Sequence, residues 1–198
     1  MRIENIKKFV KIHLGNESSG HDYLHALRVY ENSKLLTKNL NVNFNVVYTS
    51  ALIHDLIDHK LKEELKIDTS DIREFLIEES YELEDVNHII EVIENISYSK
   101  GNVPESIEGK IVQDADRLDA LGAIGIARTF AYGGKNKRLL YNPDTLDGSD
   151  SLSHFHQKLY KLDELMNTQV AKDEAKLRIR YMKEFERALL REVKNINQ

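Results

Sequence analysis

Apolar residues recur along this chain with a helical rather than a strand period. Ile3, Ile6, Val10 and Leu14 are spaced for one face of a first short helix. A polar break at 15–20, with Ser18 and Ser19 as candidate caps, precedes a second helix over 21–39. Residues 44–57, FNVVYTSALIHDLI, are apolar nearly all round, the pattern of a helix buried on every side. The Val-rich start also suits a buried strand, but the length, the Ala-Leu continuation and the absence of turn residues favour helix. Further helices are predicted over 68–79, with Ser70 as cap, and over 83–96, with Val86, Ile89, Ile90, Ile93 and Ile96 facing inward. A long one over 107–130 is opened by Pro104 and Ser106. Residues 132–151, YGGKNKRLLYNPDTLDGSDS, form a loop long enough that function or motion is expected of it. Segments 152–166 and 170–193 then pair as a helical hairpin broken near Asn167 and Thr168, with Leu162, Leu165, Met166, Phe185 and Leu189 read as core. There is no internal repeat and no linker, so the expectation is an all-α fold with a C-terminal helical hairpin, formed by a single domain over 1–198.

Composition narrows the classes. The chain has 198 residues, 41% apolar and 31% charged, with only 2 Pro and 9 Gly, which excludes low-complexity and mostly disordered classes. It contains no Cys, so disulfides, cysteine zinc sites, iron–sulfur clusters and thiol catalysis are excluded. A net charge of −5 lacks the broad basic field that dominates affinity for nucleic-acid polymers. No apolar run approaches the roughly 20 residues of a membrane span. The N-terminus MRIENIKKFVKIHLG is amphipathic and has no signal-peptide character. A soluble cytoplasmic protein is therefore expected.

Three segments carry candidate chemistry. In GHDYLHALRV, residues 20–29, His21 and His25 share one helix face, with Arg28 a further turn along. In ALIHDLID, residues 51–58, His54 and Asp55 sit side by side at the end of the most apolar helix. An ionised Asp buried there costs several kcal/mol unless a cation or hydrogen bonds offset it, and the pair can meet one ion if the helix frays or tilts. Asp58 lies three residues on, near the same face. In IVQDADRLDALGAIGIARTFAYGG, residues 111–134, Asp114 and Asp116 lie about 200° apart on a regular helix and cannot share a site. Asp116 and Asp119 do share a face, while Ala120, Gly122 and Gly125 permit close packing. Read in order the three segments give H…HD…D. Two imidazoles and two carboxylates suit one divalent transition metal, Mn²⁺ first, with Fe²⁺, Zn²⁺, Co²⁺ or Ni²⁺ as alternatives.

This pattern across an all-helical chain resembles the HD superfamily of metal-dependent phosphohydrolases. GHDYLHALRV, ALIHDLID, IVQDADRLDALGAIGIARTFAYGG and the tail SHFHQKLYKLDELMNTQVAKDEAKLRIRYMKEF are together similar to one bacterial branch, that of nucleotide pyrophosphohydrolases. The resemblance implies an HD-domain helical bundle with its metal-binding core at 20–131, the loop at 132–151 and C-terminal helices at 152–196. It implies metal ligation by His25, His54, Asp55 and Asp116, with His21 behind the metal or facing phosphate, or else competing with His25 for the metal. Asp119 would hydrogen-bond beside the ligands or pack between helices. Asp58 occupies the place where nucleotide-cleaving relatives often hold an acid, and is expected to orient or deprotonate water. Lys100, in the Ser-rich turn 97–101, is a phosphate contact that the resemblance supports, as are His154 and Lys158. Lys135 opens a run of cations after two glycines that is not a P-loop but can bring positive charge to a polyphosphate. His88, within VNHIIEVI, is expected to be a hydrogen-bonded core histidine.

The implied reaction is hydrolysis of a small-molecule nucleotide, a nucleoside triphosphate giving the monophosphate and pyrophosphate. A 5′-nucleotidase or an alarmone hydrolase is the enzyme alternative. A non-catalytic nucleotide sensor and an oxygen-activating di-iron protein are the alternatives of other classes. The sensor predicts degenerate ligand positions, and the di-iron protein needs ligands beyond these four. The amphipathic C-terminal helices could serve a homodimer or equally cover the core, and neither a nucleic-acid polymer nor a membrane is expected as partner.

Overall fold

A computed structural model of the chain describes residues 2–15, 22–58, 65–96, 102–142 and 148–196. Among them the regular structure is helical, as the periodicity predicts, and no helix is long and apolar enough to cross a membrane. The chain divides into two compact units at Asp116/Arg117.

The first unit holds α1 (Arg2–Leu14), α2 (Tyr23–Leu36), α3 (Phe44–Ile53) with a 3-10 turn at His54–Ile57, α4 (Thr69–Glu78), α5 (Leu83–Asn95) and most of α6 (Ile107–Asp119). Helix α3 is central and packs on α1, α2 and α5, which explains a sequence with no polar face. Val46, Val47, Ala51, Leu52 and Ile53 are all buried, against Ile6, Val10 and Leu14 of α1, Ala26 and Val29 of α2, and Ile89 and Ile93 of α5 among others. Truncating one such Leu or Ile to Ala costs about 2–5 kcal/mol. Buried polar bonds fix the elements further. Thr49 Oγ1 and the Tyr81 hydroxyl lie 2.7 Å apart, and the Asn43 backbone N–H donates to Glu108 Oε1 at 3.0 Å. Asn32 Nδ2 donates to the carbonyl of Ala115 at 3.0 Å, tying α2 to α6.

Helix α4 is capped by Asp68 rather than Ser70. The Asp68 carboxylate accepts from the N–H groups of Ser70 and Asp71, at 2.7 and 3.2 Å, and Asp71 returns a bond to the Asp68 N–H. Ser18 and Ser19 lie outside the described residues; the cap of α2 is Asp22. The segment predicted as one helix over 107–130 is two. Gly122 adopts φ +72°, a left-handed conformation that L side chains disfavour, and it breaks the chain between α6 and α7 (Gly122–Lys135).

In the second unit, α7 is followed by α8 (Ser153–Gln157), a 3-10 turn at Leu159–Lys161 and the long α9 (Gln169–Ile196), which packs on α7. The first arm of the hairpin is thus two short pieces rather than a continuous helix. Phe155, Leu159, Leu162, Met166, Ala171, Ala175 and Met182 form its core, and Phe130 and Phe185 meet Phe155 edge-on or tilted. Leu165 is instead 45% exposed, while its carbonyl accepts from Arg117.

Candidate metal centre

The first unit brings His25, His54, Asp55 and Asp116 together. His25 stands in the first turn of α2, where the Asp22 side chain accepts its backbone N–H at 2.7 Å. His54 and Asp55 sit where α3 tightens into the 3-10 turn, a common ending for an α-helix. There Nδ1 of His54 meets the carbonyl of Ala51 at 2.9 Å. A carbonyl only accepts, so Nδ1 carries the proton and Nε2 presents a lone pair. That Nε2 is buried and has no hydrogen-bond partner. Asp116 lies one turn before the end of α6.

His25, His54 and Asp116 form one cluster, and Asp55 approaches both imidazoles. His25 Nε2 lies 3.3 Å from Asp55 Oδ2 and 3.4 Å from Asp116 Oδ1. His54 Nε2 lies 3.3 Å from Asp55 Oδ1 and 3.9 Å from Asp116 Oδ1. The imidazoles meet edge to face, with centroids 5.3 Å apart. Ligands bound at about 2.1 Å to a common ion stand about 3.0–3.4 Å from one another. Three of the four observed separations fall at that spacing, and the fourth, from His54 to Asp116, is longer. His25, His54 and Asp116 form a group able to hold a metal ion, and the orphaned Nε2, the buried Asp55 carboxylate and the part-exposed Asp116 carboxylate give the donor set that such an ion requires. Burial raises the Asp116 carboxyl, but its hydrogen bond to His25 and the charges of His54 and His25 outweigh this and hold it below the usual carboxylate range.

The neighbouring acids are separated by the fold. Asp114 is fully buried, while Asp116 keeps about a third of its side chain exposed, as their opposed helix faces imply. Asp119 is spent elsewhere: Arg128 donates to its Oδ2 at 2.5 Å within the second unit. Asp58 ends the 3-10 turn, its N–H donating to the Asp55 carbonyl at 3.1 Å. His88 faces Glu108 with 3.8 Å between Nε2 and Oε2.

Of the residues expected to meet substrate, His21 and Lys100 lie outside the described residues. Lys135, His154 and Lys158 belong to the second unit. Lys135 is the last residue of α7, and Lys158 ends α8 with its N–H on the His154 carbonyl. Burial holds His154 below its ordinary value, and the charges of Lys158 and Arg138 add to this. Arg138 therefore belongs to the same basic group. Its place at the end of GGKNKR was the only sign of it in the sequence.

An HD-domain profile matches residues 22–121. The chain is 37% identical over 198 residues to YpgQ, an uncharacterized protein of Bacillus subtilis (strain 168), covering 98% of this chain and 95% of that one. The crystal structure of YpgQ in complex with ADP superposes with a TM-score of 0.82 at 36% identity, covering 96% of this chain and 97% of that one. An HD-superfamily hydrolase of Bacillus thuringiensis matches with a TM-score of 0.82 at 43% identity, covering 97% of this chain and 96% of that one. With its helical fold and its converging H…HD…D side chains, the chain belongs to the HD-domain phosphohydrolase superfamily.

Proposed function

We propose that this chain is a metal-dependent phosphohydrolase that converts a nucleoside triphosphate to the monophosphate and pyrophosphate. The observation that carries the reading is the buried, unpartnered Nε2 of His54, set among His25, Asp55 and Asp116. Two imidazoles and the Asp55 carboxylate buried beside a second carboxylate stay costly until a cation joins them. Manganese is the ion of first choice in this reading. When bound, such an ion supplies Lewis acidity to a phosphoryl oxygen and to water. The chain's own part is to hold that centre through His25, His54, Asp55 and Asp116. Asp58 takes the proton of the attacking water. Lys135, His154 and Lys158, with His21 and Lys100, supply donors and positive charge to the polyphosphate and offset charge as the bond breaks. That YpgQ was crystallised with ADP supports a nucleotide as the ligand class.

Water oxygen adds to the α-phosphorus in this scheme, the bond from that phosphorus to the bridging oxygen breaks, and pyrophosphate leaves intact. Incubation of the Mn²⁺-loaded protein with nucleoside triphosphates in ¹⁸O-water, resolved by phosphorus NMR, tests it. The expected products are monophosphate and pyrophosphate, with the label in one of them, and no orthophosphate. Orthophosphate as the sole inorganic product, or turnover of monophosphates alone, would turn the reading to a nucleotidase. Binding without turnover would turn it to a sensor.

A further inference from the structure

Of the contacts that link α2 to α6 near the cluster, one is made by candidate ligands and another is not. His25 Nε2 approaches Asp116 Oδ1 at 3.4 Å. Seven residues later on α2, Asn32 Nδ2 donates at 3.0 Å to the carbonyl of Ala115, the residue before Asp116. A separation of seven residues is about 10.5 Å of rise and within about 20° of the same direction on the helix. His25 and Asn32 therefore share a face of α2 and engage α6 at two levels. The donor must be the amide nitrogen, because a carbonyl can only accept. Asn32 is 8% exposed, so the bond is sheltered from water, and losing its donor leaves the Ala115 carbonyl poorer by a partner it cannot replace from solvent.

The register of α6 against α2 decides whether Asp116 reaches the cluster. A slip of one residue is about 1.5 Å of translation and about 100° of rotation, enough to carry the carboxylate away. The apolar neighbours Val112 and Ala115 bury surface without direction, whereas a hydrogen bond to one particular carbonyl specifies a register. We infer that Asn32 is a positioning residue for the metal centre, fixing Asp116 against His25 by holding the Ala115 carbonyl. This rests on the metal-binding reading above.

Cobalt(II) titrated into metal-free protein, with the visible d–d absorption and the affinity as readouts, tests it. Asn32→Leu keeps the volume and removes the donor. Ile72→Val, in the core of α4, which carries no candidate ligand, is the control for general destabilisation. The expected result is a 10- to 100-fold loss of cobalt affinity in Asn32→Leu with an altered d–d spectrum, roughly the scale seen when outer partners of metal ligands are removed. Ile72→Val lowers the melting temperature while leaving affinity and spectrum unchanged. Should Asn32→Leu fail to fold, Asn32→Ala carries the same measurements. Wild-type affinity and spectrum in the Asn32 variants, or loss of the fold in both of them, overturns the inference. Absence of cobalt binding by the wild type overturns the metal-binding reading instead.

Discussion

In the first unit, Nε2 of His25 and Nε2 of His54 each face both Asp55 and Asp116, and His54 Nε2 is left without a hydrogen bond. In the second unit, His156 Nε2 lies 2.5 Å from Glu186 Oε1, and Tyr160 donates its hydroxyl to Oε2 at 2.7 Å. Both oxygens of Glu186 are engaged, and His156 keeps 47% of its side chain in solvent. Burial, the bond to Glu186 and its negative charge push the Tyr160 phenol well above its ordinary value, so the proton stays in place. Both regions put imidazole beside carboxylate. The second has spent its donors and acceptors on one another, while the first leaves the buried Nε2 of His54 without a hydrogen bond beside two carboxylates. It is the unspent capacity, not the adjacency, that marks a metal centre.

Substituting each histidine breaks the comparison most directly. His54→Ala is expected to lose the metal and to slow turnover by about 10³-fold or more, since several kcal/mol of charge stabilisation goes with the ion. His156→Ala is expected to keep full metal content and rate, and to lower stability by about 1 kcal/mol, as for a half-exposed ion pair. Atomic absorption and urea unfolding of the two variants report both quantities. Equal metal loss in both would erase the distinction. A smaller effect is expected inside the first region, from a residue beside the ligands. Asp58→Asn should slow turnover by roughly 10²-fold at normal metal content if it takes the proton of water. An unchanged rate would leave it as a helix-end acid.

The smallest effect concerns pH in the second unit. The folded chain holds His154 below its ordinary value, because burial and the charges of Lys158 and Arg138 oppose protonation. On acidification the unfolded chain takes the proton first. Stability is therefore complete above about pH 6.5 and is lost as the pH falls through the folded-state value. Melting temperatures of the wild type and His154→Gln between pH 7 and about pH 5 should diverge, with the variant falling less. Parallel curves would show that His154 carries no such penalty.

Much of this was readable in the residues. An apolar helix with no polar face had to be central, and α3 packs on three helices. Helical arithmetic had already separated Asp116 from Asp114, and one lies in the cluster while the other is fully buried. The break at Gly122 was not readable, because a glycine inside an apolar run suits close packing as well as a left-handed turn. The cap of α4 was misplaced by two residues, since Asp68 and Ser70 are both competent and the backbone chooses between them. The orientation of His54 was likewise invisible, as it depends on its Nδ1 meeting the Ala51 carbonyl where α3 tightens.

Residue order and periodicity by themselves determined an all-helical chain and which side chains could share a face, because both follow from the local repeat of the backbone. Whether Asp119 joined Asp116 depended on an arginine nine residues away across a turn. Whether His25 met Asp116 depended on how two helices far apart in sequence were registered, with Asn32 reaching over to Ala115. Those are contacts across long separations, and local periodicity carries no information about which of several helix registers the packed core will accept.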